Sequence, residues 1–182
     1  MKKVLDFFIE LLKTVILALA IVLPIRFFLF QPFIVKGQSM EPNFENGDYL
    51  IIDEITYRFR EPKRGEVIVF KFPKNERQRF IKRIVGLPGE TIEISQGKIK
   101  IENEKGSFYL DESKYLSENY TVGEFKISLG KDEYFVLGDN RFHSLDSRAF
   151  GPIHKRQIIG RVILRLWPPN SIKAFFEPAF LK

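Results

Sequence analysis

From Thr14 to Ile25 the chain reads "TVILALAIVLPI", a run without a single charge, and after Arg26 the apolar character resumes with "FFLF". Taken from 14 to 30 the run is 17 residues long, at the short end of what crosses a hydrocarbon core as a helix. A buried core helix fits less well, because the stretch has no polar face. Arg26, near one end, can snorkel toward lipid headgroups. Lys2, Lys3 and Lys13 come before the run, so the positive-inside rule keeps the N-terminus in the cytoplasm and sends the remainder across. A competing reading is a removable leader, since "ALA" at 18 to 20 has the small-x-small form of a cleavage site. Apolar residues continue well past Ala20, which favours an uncleaved anchor. The expectation is a cytoplasmic N-terminus plus anchor at 1–31 and an extracytoplasmic domain at 32–182.

Beyond Gln31 the texture changes. "DYLIID", "EVIVF", "FIKRIVG", "TIEIS", "KIKIEN", "EYFVLGD" and "GRVILRLW" are short runs of β-branched and aromatic residues, each of strand length. Between them stand "ENGD", "PKRG", "LPGE", "SQGK" and "SLGKDE", which carry Gly, Asn and Pro at turn spacing. No stretch after residue 31 sustains a helical period for three turns, so this part is expected to be mainly β. "TIEISQGKIKIENEKG" reads as two strands about a two-residue turn, and a polar segment follows it. The region from about 92 to 130 is therefore expected to be a small hairpin and loop inserted into one core.

The chain has 29 Lys and Arg against 23 Asp and Glu, a formal charge of +6, of which the first 31 residues hold +2. A charge of that size spread over so long a chain is modest for a nucleic-acid binder, and no nucleic acid is expected as partner. There are no cysteines, which removes disulfides, zinc-thiolate sites and cysteine nucleophiles. No cofactor or metal is expected.

In "GQSMEP", Ser39 sits between glycine and proline just outside the apolar run. A serine hydroxyl is a weak nucleophile until a base takes its proton. One candidate base is His143 in "GDNRFHSLDSR", whose aspartates allow a Ser-His-Asp triad. The other is Lys82 in "RFIKRIVGLPGE", a lysine kept neutral by desolvation; strand alternation would put it on the face opposite Ile81 and Arg83.

"GQSMEPNF", "RFIKRIVGLPGE" and "GDNRFHSLDSRAFGPI", in that order after one apolar span, resemble the sequence boxes of bacterial type I signal peptidases. The likeness extends to "GDYLIID" and "GRVILRLWP" and covers nearly the whole chain. It implies a β fold related to the self-cleaving domain of SOS-type repressors, and a membrane-bound protease that removes signal peptides after small residues. Residue by residue, it implies Ser39 as nucleophile, Lys82 as general base and Ser144 as the hydroxyl that hydrogen-bonds the lysine. It implies Asp146 and Arg148 as a structural ion pair. His143 then loses its claim. Val35, Met40, Phe44, Phe80 and Ile81 match the family's substrate-pocket positions. The implied partners are signal peptides of secreted preproteins, the lipid bilayer and the secretion translocon. In some members a serine two positions before the nucleophile helps to bind the oxyanion; here that position is Gly37, which leaves the backbone N–H of Ser39 as a donor.

Overall fold

The computed structural model describes residues 2–28, 30–116 and 120–175, without the side chains of residues 2, 3, 5 and 21–30. It opens with helix α1 (Lys2–Phe28), which runs straight into strand β1 (Phe30–Ile34). The described apolar side chains of α1 are uncovered: Phe7, Leu12 and Leu17 are each about 60% exposed among the described residues. Among the described residues no helix is both long and apolar enough to cross a membrane. The run expected to form an anchor extends over residues 21–30, whose side chains lie outside the description.

The rest is two antiparallel sheets. Strands β2 (Tyr49–Asp53), β3 (Val67–Phe72) and β4 (Asn75–Gly86) come first. After them, β5 (Thr91–Ser95), β6 (Lys98–Asn103), β7 (Gly106–Tyr109) and β8 (Phe125–Ser128) form a separate four-stranded sheet in the order β7-β6-β5-β8. The chain returns with β9 (Glu133–Leu137), β10 (Ile153–His154), β11 (Ile158–Trp167) and β12 (Lys173–Ala174). The large sheet is ordered β1-β2-β11-β3-β4-β9-β10, with β12 added to β11.

Each strand expected from the alternating runs is present. The segment read as a hairpin and loop is more regular than expected, because "GSFY" and "FKIS" each pair with a hairpin strand. The hairpin turns through Gln96 (φ 50°) and Gly97 (φ 77°), a pair of left-handed residues that matches the right-handed twist of the strands it joins. β1 is not among the alternating runs because "FQPFI" contains Pro32, which cannot donate to a ladder. It lies at the sheet edge, paired on one side only to β2, where a proline is tolerated.

Burial explains the strand compositions. β3 is covered on both faces, so "VIVF" is apolar throughout instead of alternating. Val67, Val69 and Ile81 pack with Met40, Phe44, Leu50 and Val162 on one side. Ile68, Phe70 and Ile84 pack with Tyr134, Val136 and Ile153 on the other. The small sheet closes a third cluster around Ile92, Ile94, Ile101 and Phe135.

β11 passes between β2 and β3 with a register shift at Gly160. A Cβ there would run into the Asp53 carbonyl oxygen and come within 2.8 Å of Ile52 Cγ2. Gly160→Ala is therefore expected to destabilise the domain by about 1–3 kcal/mol, measured as a lowered midpoint of thermal unfolding.

Candidate active site

Ser39 stands on a tight loop that leaves the edge strand β1. Its neighbours fix it from below: Met40 and Phe44 are fully buried, and the Phe44 N–H donates to the Met40 carbonyl at 2.9 Å. Gly37 takes φ 89°, a conformation that L side chains rarely adopt, and its N–H donates to Asn46 Oδ1 at 3.0 Å. The apolar anchors sink and the hydroxyl stays at the rim.

Lys82 lies on β4 directly opposite Ile68 of β3 and is 3% exposed. Its Nζ is 2.7 Å from Ser39 Oγ and 2.8 Å from the Ile81 carbonyl oxygen. Phe80 adds an aromatic ring 5.4 Å from the nitrogen. Burial drives the lysine pKa down to about 8, against an upward pull from the carboxylates of Asp146 and Asp139. As an ammonium, Nζ donates to Ser39; once neutral, it can accept the Ser39 proton across the same contact.

A loop after β9 closes the site. A Cβ on Gly138 would collide with both Ser144 Oγ and the Ser39 carbonyl oxygen, so the close approach requires glycine. The Asn140 N–H donates to that Ser39 carbonyl at 3.1 Å, and Asn140 Nδ2 donates to the Gln38 carbonyl at 3.2 Å. Asp146 is fully buried and accepts from the Gly138 N–H at 3.1 Å and from Arg148 Nε at 2.9 Å and Nη2 at 2.8 Å. The expected Asp146–Arg148 pair is present.

Ser144 departs from expectation. Its Oγ is buried, has no hydrogen-bond partner among the described residues and does not bond Lys82. The lysine nitrogen is met by Ser39 Oγ and the Ile81 carbonyl. His143 is exposed, with Nδ1 3.4 Å from Asn140 Oδ1 and no contact to Ser39.

Ser39 and Lys82 open into a cleft of about 580 Å³ that Phe80 and Ile81 also line. Val35, Met40 and Phe44, expected in the same wall, are in the core beneath it instead. A slightly larger cavity, about 630 Å³ beside Tyr57 and Ile158, contains neither member of the pair. The sequence reading missed two buried ion pairs behind the site. Arg83 holds Asp139 through Nε at 2.8 Å and Nη2 at 2.6 Å. Arg141 holds Glu112 of the inserted region at 2.7 and 2.6 Å and donates from Nε to the Gly138 carbonyl at 2.9 Å. Arg83 carried a signal: an arginine in an otherwise apolar strand needs a buried partner.

A hydroxyl at hydrogen-bond distance from a desolvated amine, with no histidine in reach, is the arrangement that hydrolysis by a Ser-Lys pair requires. The model of the signal peptidase, peptidase S26, family matches residues 8–167, and the chain belongs to that family; it is a serine endopeptidase. It is 37% identical over 181 residues to a probable signal peptidase I-2 of Synechocystis sp., covering 94% of this chain and 78% of that one. To a signal peptidase I of Leptolyngbya laminosa it is 36% identical over 177 residues, covering 93% and 84%. To a signal peptidase I P of Bacillus subtilis subsp. natto it is 34% identical over 171 residues, covering 91% and 92%. A solved signal peptidase I from Enterococcus faecalis V583 is 34% identical, covering 56% of this chain and 97% of that one, with a TM-score of 0.49.

A lysine whose folded pKa is about 8 and whose unfolded value is near 10.5 opposes folding while it is charged in both states. That penalty is fully present below pH 8 and fades as pH rises toward 10.5. Lys82→Met is expected to raise stability at pH 7 by up to about 3 kcal/mol, with the gain shrinking toward pH 10. Denaturant unfolding at the two pH values measures it.

Proposed function

We propose that Ser39 is the nucleophile and Lys82 the general base of a membrane-anchored signal peptidase. Membership of the signal peptidase family makes the chain a serine endopeptidase that removes signal peptides from preproteins. The observation that carries the residue assignment is the 2.7 Å contact between Ser39 Oγ and a lysine 3% exposed. The neutral amine takes the hydroxyl proton as the oxygen attacks the scissile carbonyl, then returns it to the leaving amine as general acid. The Ser39 N–H supplies one donor to the oxyanion. Asn140 holds the Ser39 carbonyl and so fixes the peptide plane of the loop. Asp146 and Arg148 support the loop from behind.

The substrate segment lies extended in the cleft, its backbone added to β1 and to the outer half of β4. The dry wall formed by Phe80 and Ile81 favours small residues beside the scissile bond. The uncovered apolar side chains of α1 and the apolar run at 14–30, interrupted only by Arg26, support a single anchor, with the N-terminus cytoplasmic, the sheets extracytoplasmic, and the translocon as neighbour. Residues 1–31 form that anchor unit and 32–182 the catalytic domain. Kinship with the SOS-type self-cleaving fold belongs to the same reading, since Ser-Lys chemistry and a β scaffold go together there.

Three outcomes are expected. With a purified preprotein as substrate, Ser39→Ala and Lys82→Ala each abolish cleavage, the double variant is no worse, and His143→Ala retains most turnover. The reverse pattern for His143 and Lys82 would restore a triad. The acid limb of the activity profile has its midpoint near pH 8, because the base acts only after losing its proton; a flat profile from about pH 6 to 10 is incompatible with a lysine base. Full-length protein stays in the membrane fraction through carbonate extraction, and protease added from outside the cytoplasm digests residues beyond 31. Recovery of a soluble chain beginning at Ile21 would instead make "ALA" a cleavage site.

A further inference from the structure

The floor of the cleft is apolar, but its outer wall is charged with one sign. Beyond the dyad, Lys36, Arg77 and Arg79 line it, and no carboxylate does. All three are exposed, and none is ion-paired with an acid among the described residues. Arg79 Nη1 makes only a long contact, 3.4 Å, to Gln31 Oε1, and it pulls on the Glu54 carboxyl from a distance. Glu76 stands on the same strand but outside the cleft lining.

Spacing along β4 says which part of a substrate meets this wall. At about 3.3 Å per residue, Arg79 and Arg77 lie roughly 10 and 17 Å along the strand from Lys82. An extended peptide whose residue just before the scissile bond sits beside Ser39 and Lys82 therefore presents the residues about three and five further on, about the fourth and sixth from that bond, to the two arginines. The Gln31 contact puts Arg79 at the end of β1 where helix α1 enters. A signal peptide still held in the bilayer comes from that end, so the residues concerned precede the cleavage site.

We infer that Lys36, Arg77 and Arg79 form a specificity wall that selects signal peptides with an acidic residue about four to six positions before the scissile bond and rejects a basic one there. The inference rests on the signal-peptidase reading and names its substrate class. Exposed ion pairs are individually weak, but like-charge rejection adds to them, so discrimination between Asp and Lys reaches about tenfold at low salt.

The test uses full-length protein in a zwitterionic detergent and three synthetic peptides. They share Ala at the first and third positions before the scissile bond and differ only in Asp, Asn or Lys at the fifth. The expected order of kcat/KM is Asp, Asn, Lys, with the Asp-to-Lys ratio near tenfold, shrinking to about twofold in roughly 0.5 M salt as the charges are screened. In the double variant Arg77→Glu, Arg79→Glu the ratio inverts, and Lys36→Glu lowers it; thermal melts confirm that each variant is folded. A ratio near one in the unaltered protein, or an unchanged ratio in the double variant, overturns the inference. If the double variant keeps the peptide ratio but loses retention on phosphatidylglycerol vesicles, the cations face lipid and the inference is overturned as well. An Asn peptide cut normally and only by protein with Ser39 intact isolates these outcomes. An Asn peptide left uncut, or cut equally by Ser39→Ala, brings down the signal-peptidase reading and this inference with it.

Discussion

Everything at the site depends on keeping one amine dry. Lys82 is 3% exposed on a strand whose neighbours are apolar on both faces, and burial is the largest influence on its pKa. In water the same nitrogen would be protonated at neutral pH and useless as a base. The two-sheet arrangement supplies the dryness. β4 is paired to β3 over Asn75–Arg83 and to β9 at its inner end, which fixes the backbone from which Lys82 projects.

Strand alternation then divides two cations between two tasks. Lys82 and Arg83 are adjacent in sequence and point to opposite faces. Arg83 is met by a bidentate carboxylate, Asp139, and by the ring of Tyr115, 4.1 Å from the guanidinium carbon. Lys82 is met by a hydroxyl and a carbonyl, neither of which carries a charge that would hold the ammonium. Had the polarity of these environments been exchanged, the lysine would stay charged and the arginine would be buried without a counter-ion, at a penalty of several kcal/mol.

The strands of the large sheet were legible because their alternation and turn residues are local properties. β1 was not legible from alternation, since Pro32 argues against a strand everywhere except at an edge, and edge position is a property of the assembled sheet. The pairing of Ser39 with Lys82 came from the order of three motifs, and so did Asp146 with Arg148. What the motifs could not convey is which backbone groups meet the reacting side chains. The Ile81 carbonyl, a backbone group invisible to any residue pattern, is one of the two hydrogen-bond partners of Lys82. The resemblance makes Val35, Met40 and Phe44 pocket wall; packing places them in the core, where each is at most 2% exposed. The contact between Glu112 and Arg141 was hidden for a further reason, since it joins the inserted sheet to the loop after β9 across a sequence gap no local pattern spans.

The buried carboxylates set the remaining constraint. Asp146 and Asp139 both favour the charged lysine, so each is a threat to the base it sits behind. Each is also bound by an arginine, Asp146 by Arg148 and Asp139 by Arg83. A carboxylate already engaged by a guanidinium spends much of its field on that partner, and the attraction left for the more distant ammonium is too small to offset desolvation. The loop can therefore use acids for what they do well, accepting the Gly138 N–H and the Arg148 side chain, while the lysine pKa still falls to about 8. The two arginines thus govern the chemistry without touching the reacting atoms, by deciding how much negative charge the amine experiences.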